Sequence, residues 1–260
     1  QIYNQFSQID NENTNVGFDY NYIYKNFNFF GEISHSIDGG IATTNGLLVY
    51  LDPKLSLAVQ QRKYDRDFKP FESNAIGDGG TNVNEQGIFL GVTAKPFKSI
   101  TLSGYFDRFV FPWLRFQSDA PTDGYNYLAQ VTYSPNKQLS MYARIRERER
   151  GANLRVEGQP IDQVVNEKQT NYRYNISYKI NKKIDLDNRI EMVRYLQGEL
   201  PAEYGYVIYQ DISFSSLSNP FSFSLRYALF DTDSYNSRIY SYENDVLYYF
   251  RIPAYYSQGA

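Results

Sequence analysis

Tyr204-Gly205-Tyr206-Val207-Ile208-Tyr209-Gln210-Asp211-Ile212-Ser213-Phe214-Ser215, followed by Ser216-Leu217-Ser218-Asn219-Pro220 and then Phe221-Ser222-Phe223-Ser224-Leu225-Arg226-Tyr227-Ala228-Leu229, decides how the chain is read. In the second half Phe221, Phe223, Leu225, Tyr227 and Leu229 share one face, and Ser222, Ser224, Arg226 and Ala228 share the other. A period of two is the signature of a β-strand. The first half repeats it, with Tyr204, Tyr206, Ile208, Ile212 and Phe214 opposed to Gly205, Tyr209, Asp211, Ser213 and Ser215. The Pro-containing segment between them predicts a hairpin. What the apolar faces touch, core or lipid, is then the decisive question.

Composition narrows the answer. Tyrosine supplies 26 of 260 residues, yet the mean hydropathy is −0.54. No run of about 18 apolar residues is present, which argues against a transmembrane helix. A barrel strand buries only every second residue in lipid, so this composition leaves a membrane barrel open. The absence of cysteine removes disulfides and thiolate metal sites. A net charge of −3 and a pI near 5.3 give no reason to expect a nucleic-acid surface.

The same alternation recurs along the chain. Strands are predicted over about 16–24, 27–37, 41–51, 55–60, 88–94, 100–106, 125–133, 139–148, 172–178 and 184–192, with another through Tyr240, Tyr242, Val246, Tyr248 and Phe250. Residues 1–10 carry a weaker strand pattern. Segments 62–85, 111–124, 149–168 and 231–236 read as exposed loops. Short turns fall near residues 26, 53, 96, 136, 182 and 219, and the connections between them form a second class that includes every long loop. Short turns alternating with long loops is the asymmetry of an outer-membrane barrel, whose short turns are periplasmic. A soluble β-sandwich has the same residue alternation but no such loop rule. The fold class predicted is therefore all-β, a transmembrane antiparallel outer-membrane β-barrel of about 14–16 strands, with residues 1–260 as one domain. Open edges are not tolerated in lipid. An odd strand count and a start at Gln1 therefore read as a fragment lacking at least one terminal strand, and Pro253–Ala260 reads as a turn with nothing to pair into.

In that fold the residues opposite the apolar faces line the interior. Arg144, Arg146, Arg148 and Arg150 form a basic ladder on one strand, with Arg173, Arg189 and Arg226 from others. Glu32, Asp185, Asp187, Glu191 and Asp211 are the acidic counterparts. Such a lining selects an anionic solute or grips a plug, or its paired charges brace the wall. The presence of both signs favours bracing. Tyr24, Phe27, Tyr133, Tyr178, Phe221 and Tyr248 suit aromatic girdles at the headgroup level, as does Phe109-Val110-Phe111-Pro112-Trp113, which also reads as a partner-binding patch. His35, the sole histidine, alternates with Ser34 onto the opposite face and so cannot activate it. Asp65, Asp67, Asp78, Asp231 and Asp233 lack the spacing of a calcium loop. No catalytic residues, metal or cofactor are predicted.

The stretch from Tyr227 through Phe230-Asp231-Thr232-Asp233-Ser234-Tyr235-Asn236 to Tyr248-Tyr249-Phe250, with Ile252-Pro253-Ala254-Tyr255-Tyr256 after it, resembles the C-terminal barrel region of Bacteroidota helix-hairpin-helix domain-containing proteins. The resemblance is sharpest over about thirty residues. It implies hairpin domains before the barrel and one further strand after this point, and it offers no catalytic residues to transfer. The expected function is that of a non-enzymatic barrel in the bacterial cell outer membrane. It would be a structural or accessory subunit of a cell-envelope complex, with a porin-like channel for small polar or anionic solutes as the alternative. Its expected partners are outer-membrane lipid, lipopolysaccharide and other outer-membrane or periplasmic subunits, with no nucleic acid.

Overall fold

The computed structural model describes residues 2–6, 12–70, 73–215, 221–244 and 249–260. Twelve successive strands make up most of the chain. They are β1 (Asn15–Tyr24), β2 (Phe27–Ser36), β3 (Ile41–Asp52), β4 (Leu55–Tyr64), β5 (Glu85–Phe97), β6 (Ile100–Phe111), β7 (Thr122–Tyr133), β8 (Leu139–Leu154), β9 (Gln163–Lys179), β10 (Ile184–Gln197), β11 (Glu203–Phe214) and β12 (Phe223–Thr232). Five two-residue strands follow: β13 (Ile239–Tyr240), β14 (Glu243–Asn244), β15 (Phe250–Arg251), β16 (Ala254–Tyr255) and β17 (Gln258–Gly259). A 3-10 turn at Ile2–Asn4 occupies part of the region expected as an N-terminal strand. The sheet order is sequential from β1 to β12 and ends on β17, so no pairing closes it among the described residues.

Short turns form where side chains can replace the missing ladder bonds. Asn136 Oδ1 accepts from the backbone N–H groups of Gln138 and Leu139 at 2.8 and 2.9 Å. Asn181 Oδ1 does the same for Lys183 and Ile184 at 2.8 and 3.1 Å. Lys25 takes the left-handed φ of 52° that reverses β1 into β2. The turn at 216–220 lies outside the described residues.

The burial pattern is inverted relative to a soluble sheet. On β11 and β12 the apolar residues Ile208 and Leu225 are 49% and 63% exposed, whereas Asp211, on the opposite face, is 9% exposed. Val16, Phe18, Ile88, Leu90 and Val131 are likewise exposed. Soluble monomers rarely expose contiguous apolar surface on this scale, because it would be driven out of water. Cross-strand aromatic contacts reinforce the apolar face, as where register partners Phe214 and Phe223 stack at 5.3 Å. Tyr24, Phe27, Tyr133, Tyr178 and Phe221 are exposed as a girdle requires; the structure of Tyr248 is not described.

The chain divides into two compact units, residues 1–94, 103–127 and 148–167, and residues 95–102, 128–147 and 168–260. In the first, Ala42, Tyr64 and Phe68 form a buried cluster against which Val83 packs. In the second, Val193, Val207, Tyr209, Ile239 and Tyr255 form the core, with Ala228 and Phe230 against it.

Five expectations are corrected. Arg62 and Glu85 do not belong to an exposed loop: they end β4 and begin β5, both are buried, and Phe68, Asn82 and Asn84 between them are buried too. The expected loop 149–168 shrinks, because β8 and β9 run on to Leu154 and start at Gln163, and at 16 and 17 residues they exceed a bare membrane crossing. Phe109 and Phe111 are buried on the polar face and cannot serve as girdle residues; within that run Val110 is the outward one. The last long strand breaks into short ladders, β13 on β16 and β14 on β15, with residues 245–248 outside the described set. Pro253–Ala260 does find partners: Tyr255 pairs with Ile239, and Gln258 and Gly259 pair with Asp231 and Phe230.

Candidate functional site

The polar face of the first unit is organised around Arg62. Its Nε donates to Glu85 Oε1 at 2.6 Å, and its two terminal nitrogens reach Asp107 Oδ1 and Oδ2 at 2.7 and 3.0 Å. The Arg62 and Glu85 side chains are fully buried and Asp107 is 9% exposed. Arg62 stands opposite Gly87 in the ladder, and a β-carbon there would lie 2.5 Å from its guanidinium carbon. The bare glycine thus lets the cation lie across β5 to reach Asp107 on β6. Bidentate geometry of this kind is among the stronger charge-assisted contacts.

Glu85 also holds the connection between β4 and β5. Its carboxylate accepts the backbone N–H groups of Asp78 and Gly79 at 2.9 and 2.8 Å. Asp78 in turn accepts from Arg148 at 2.6 Å. Asn82 anchors the same segment through bonds to Ser73, Ala75 N and Ala75 O. Segment 73–84 is thereby fastened to the polar face. Arg150 faces Glu167 at 3.7 Å. Glu32 is exposed at the wall of a cavity of about 410 Å³ lined also by Ser34, Thr44 and Asn82.

In the connection between β6 and β7, Arg115 stacks over Phe111 at 4.8 Å and donates to the Gly151 carbonyl. Burial first, and then repulsion from Arg150, lowers its pKa to about 10.

The second unit repeats the pairing with different residues. Arg173 binds Glu191 through two nitrogens at 2.7 and 2.9 Å. Arg226 and Asp211 are direct register partners and meet at 2.6 and 2.5 Å, while Arg226 also lies 4.0 Å over the Tyr209 ring. Arg144 donates to Gln130 at 2.7 Å and Arg189 to Asn175 at 3.1 Å, both neutral amides. Asp187 accepts from Ser177, Arg146 is exposed, and Asp185 is half-buried two residues before Asp187. Tyr255 covers this face and donates to Glu243 at 2.6 Å.

Most of the sequence-derived residues thus fall into two sets. Arg148, Arg173, Arg226, Glu191 and Asp211 enter ion pairs, whereas Arg144, Arg189 and Asp187 bond to neutral groups. The triad of Arg62, Glu85 and Asp107 escaped the sequence reading. Arg62 continues the polar parity of Ser56, Ala58 and Gln60, and Asp107 that of Thr101, Ser103 and Tyr105. That parity was the available signal, masked by the charged segment that follows Arg62. His35 is exposed, and no cluster of metal-ligating residues occurs among the described residues. Asp65 instead caps Ile41 N, and Asp233 accepts from Tyr204 N.

No protein-family model matches the chain, and no curated protein matches it. Its structure is similar to the outer membrane channel DcaP of Acinetobacter baumannii, with a TM-score of 0.50 and 10% identity over 84% of this chain and 79% of that one. It is also similar to OmpT, an outer membrane protein of Vibrio cholerae, with a TM-score of 0.49 and 12% identity over 85% of this chain and 79% of that one. At such identity the DcaP likeness speaks to fold: an all-β, mostly antiparallel sheet of the outer-membrane barrel type.

Proposed function

We propose that residues 1–260 belong to a single bacterial outer-membrane β-barrel domain of about 14–16 strands that acts as a structural or accessory subunit of a cell-envelope assembly and catalyses nothing. The observation that carries this reading is the locking of buried or half-buried guanidinium groups onto carboxylates across neighbouring strands, as in Arg62 with Glu85 and Asp107 and in Arg226 with Asp211. Charges held in bidentate pairs stiffen a wall and have little left to offer a passing solute. The exposed apolar face fits lipid and lipopolysaccharide, and other outer-membrane or periplasmic subunits are the expected protein partners. The resemblance at Tyr227–Tyr256 to Bacteroidota barrels is consistent with the same setting.

A porin-like channel for small polar or anionic solutes is the second reading. It draws on Arg144 and Arg189, whose hydrogen-bond partners are the neutral amides of Gln130 and Asn175. DcaP, of the same fold, is an outer membrane channel. Planar-bilayer recording on the detergent-purified full-length protein separates the two. The subunit reading expects no steady conductance and stable copurifying envelope proteins. Large anion-selective steps that fall in the R144Q/R189Q variant would overturn it in favour of the channel.

A further inference from the structure

A second cavity of about 600 Å³ lies within the first unit, between residues 2–6, the segment after β4 and the connection between β6 and β7. That volume is in the range of small-molecule sites. Among the described residues its charged lining consists of Arg66, Lys69, Arg115 and Arg150 against one carboxylate, Asp78, and Arg148 already engages Asp78. Arg66 is wedged between aromatic rings, 4.5 Å from Phe6 and 4.9 Å from Trp113, and no carboxylate pairs with it among the described residues.

Two buried donors on these residues have no acceptor among the described residues: the indole Nε1 of Trp113 and the Nε of Arg115. Leaving a buried donor unsatisfied is costly, and native interiors rarely do so without a reason. The loop that carries them is held in place. Asn84 donates to the Trp113 carbonyl at 2.9 Å and accepts from Trp113 N at 2.8 Å, and Arg115 and Ser118 exchange backbone bonds at 3.1 and 2.9 Å. Trp113 and Arg115 therefore line the cavity on a fastened segment, beside the apolar surfaces of Phe111, Phe116 and Val83. Burial, and then repulsion from Arg150, penalises the Arg115 cation, so an added negative charge nearby favours it.

We propose that this cavity binds a small soluble organic anion, its carboxylate or phosphate oxygens held by the cationic lining of Arg66 and Arg115 and its body resting on the apolar walls. The chemistry shared by the two headgroups is an oxyanion on an apolar scaffold, and the inference stands whether or not the barrel conducts.

Trp113 is the only tryptophan and reports on its own site. The experiment titrates the detergent-solubilised full-length protein with phenyl phosphate, benzoate, benzyl alcohol, benzylamine and inorganic phosphate, following Trp113 emission and heat by calorimetry. At least one of phenyl phosphate and benzoate should bind saturably, at least tenfold tighter than benzyl alcohol or benzylamine, and weaken as salt rises. Which one binds tighter identifies the headgroup. R115M should weaken binding at least tenfold. Equal binding of benzyl alcohol by the unaltered protein would overturn the proposal without recourse to a variant. So would inorganic phosphate matching phenyl phosphate, or a folded R115M variant that binds as the parent does.

Discussion

Replacing Arg62 by methionine removes the one cation between two buried carboxylates and keeps most of the apolar stem. Three hydrogen bonds of 2.6, 2.7 and 3.0 Å are lost. Breaking a buried ion pair from one side costs about 3–5 kcal/mol, chiefly because a charge is left uncompensated. Glu85 keeps the N–H groups of Asp78 and Gly79 at 2.9 and 2.8 Å, which hold part of its charge. Asp107 retains no other hydrogen-bond partner among the described residues and carries most of the penalty. The expected loss is therefore at the lower end, about 3 kcal/mol. With a urea slope of about 1–3 kcal/mol/M, the midpoint falls by at least about 1 M. The assay is urea titration of protein refolded into phospholipid vesicles, read by Trp113 emission and by heat-modifiable gel migration. R62M/E85Q/D107N removes the stranded charges together with the cation and should recover at least half of the loss, since replacing a whole buried ionic group is often near neutral. A single variant losing less than about 1 kcal/mol, or a triple variant as unstable as the single, would refute the reasoning.

Two further substitutions test the faces and the loops. Ile208 lies near the middle of β11 and is 49% exposed on the apolar face. Arginine there costs about 2–4 kcal/mol if the face meets lipid at the bilayer midplane, and stays within about 0.5 kcal/mol if it meets water. Vesicle-based urea midpoints of I208R distinguish the two, and an unchanged midpoint counts against the membrane reading. Gly205 lies under the connection after β12, and a β-carbon there would fall 2.1 Å from the Ser237 carbonyl oxygen. Because the obstacle is backbone, G205A must displace segment 233–238, at about 1–3 kcal/mol. Limited proteolysis should then nick that segment faster, and an unaltered nicking rate would show that the approach is not required.

The alternation of Phe223, Leu225 and Tyr227 with Ser224 and Arg226 was enough to assign faces, because side-chain direction in a strand is a local property of the backbone with a period of two. The same parity carried the basic ladder from Arg144 to Arg150 and the acidic residues of β10 onto one face without any knowledge of their partners. Turns were legible for a similar reason, since Asn136 and Asn181 satisfy backbone groups within their own few residues. Pairing was not legible. Arg62 meets Asp107 across 45 positions, through a gap left by Gly87, and only the strand register brings the three together. The segment before Glu85 looked like solvent-exposed loop because its composition is polar. It is drawn in because Glu85 needs donors and its backbone N–H groups supply them. The tyrosine alternation after Tyr240 promised one long strand, yet Ile239 and Tyr255 fold together over Val193 and Val207. Local periodicity thus set the strands and their faces, while long-range register and the need to satisfy buried charge and cover apolar surface decided which residues meet.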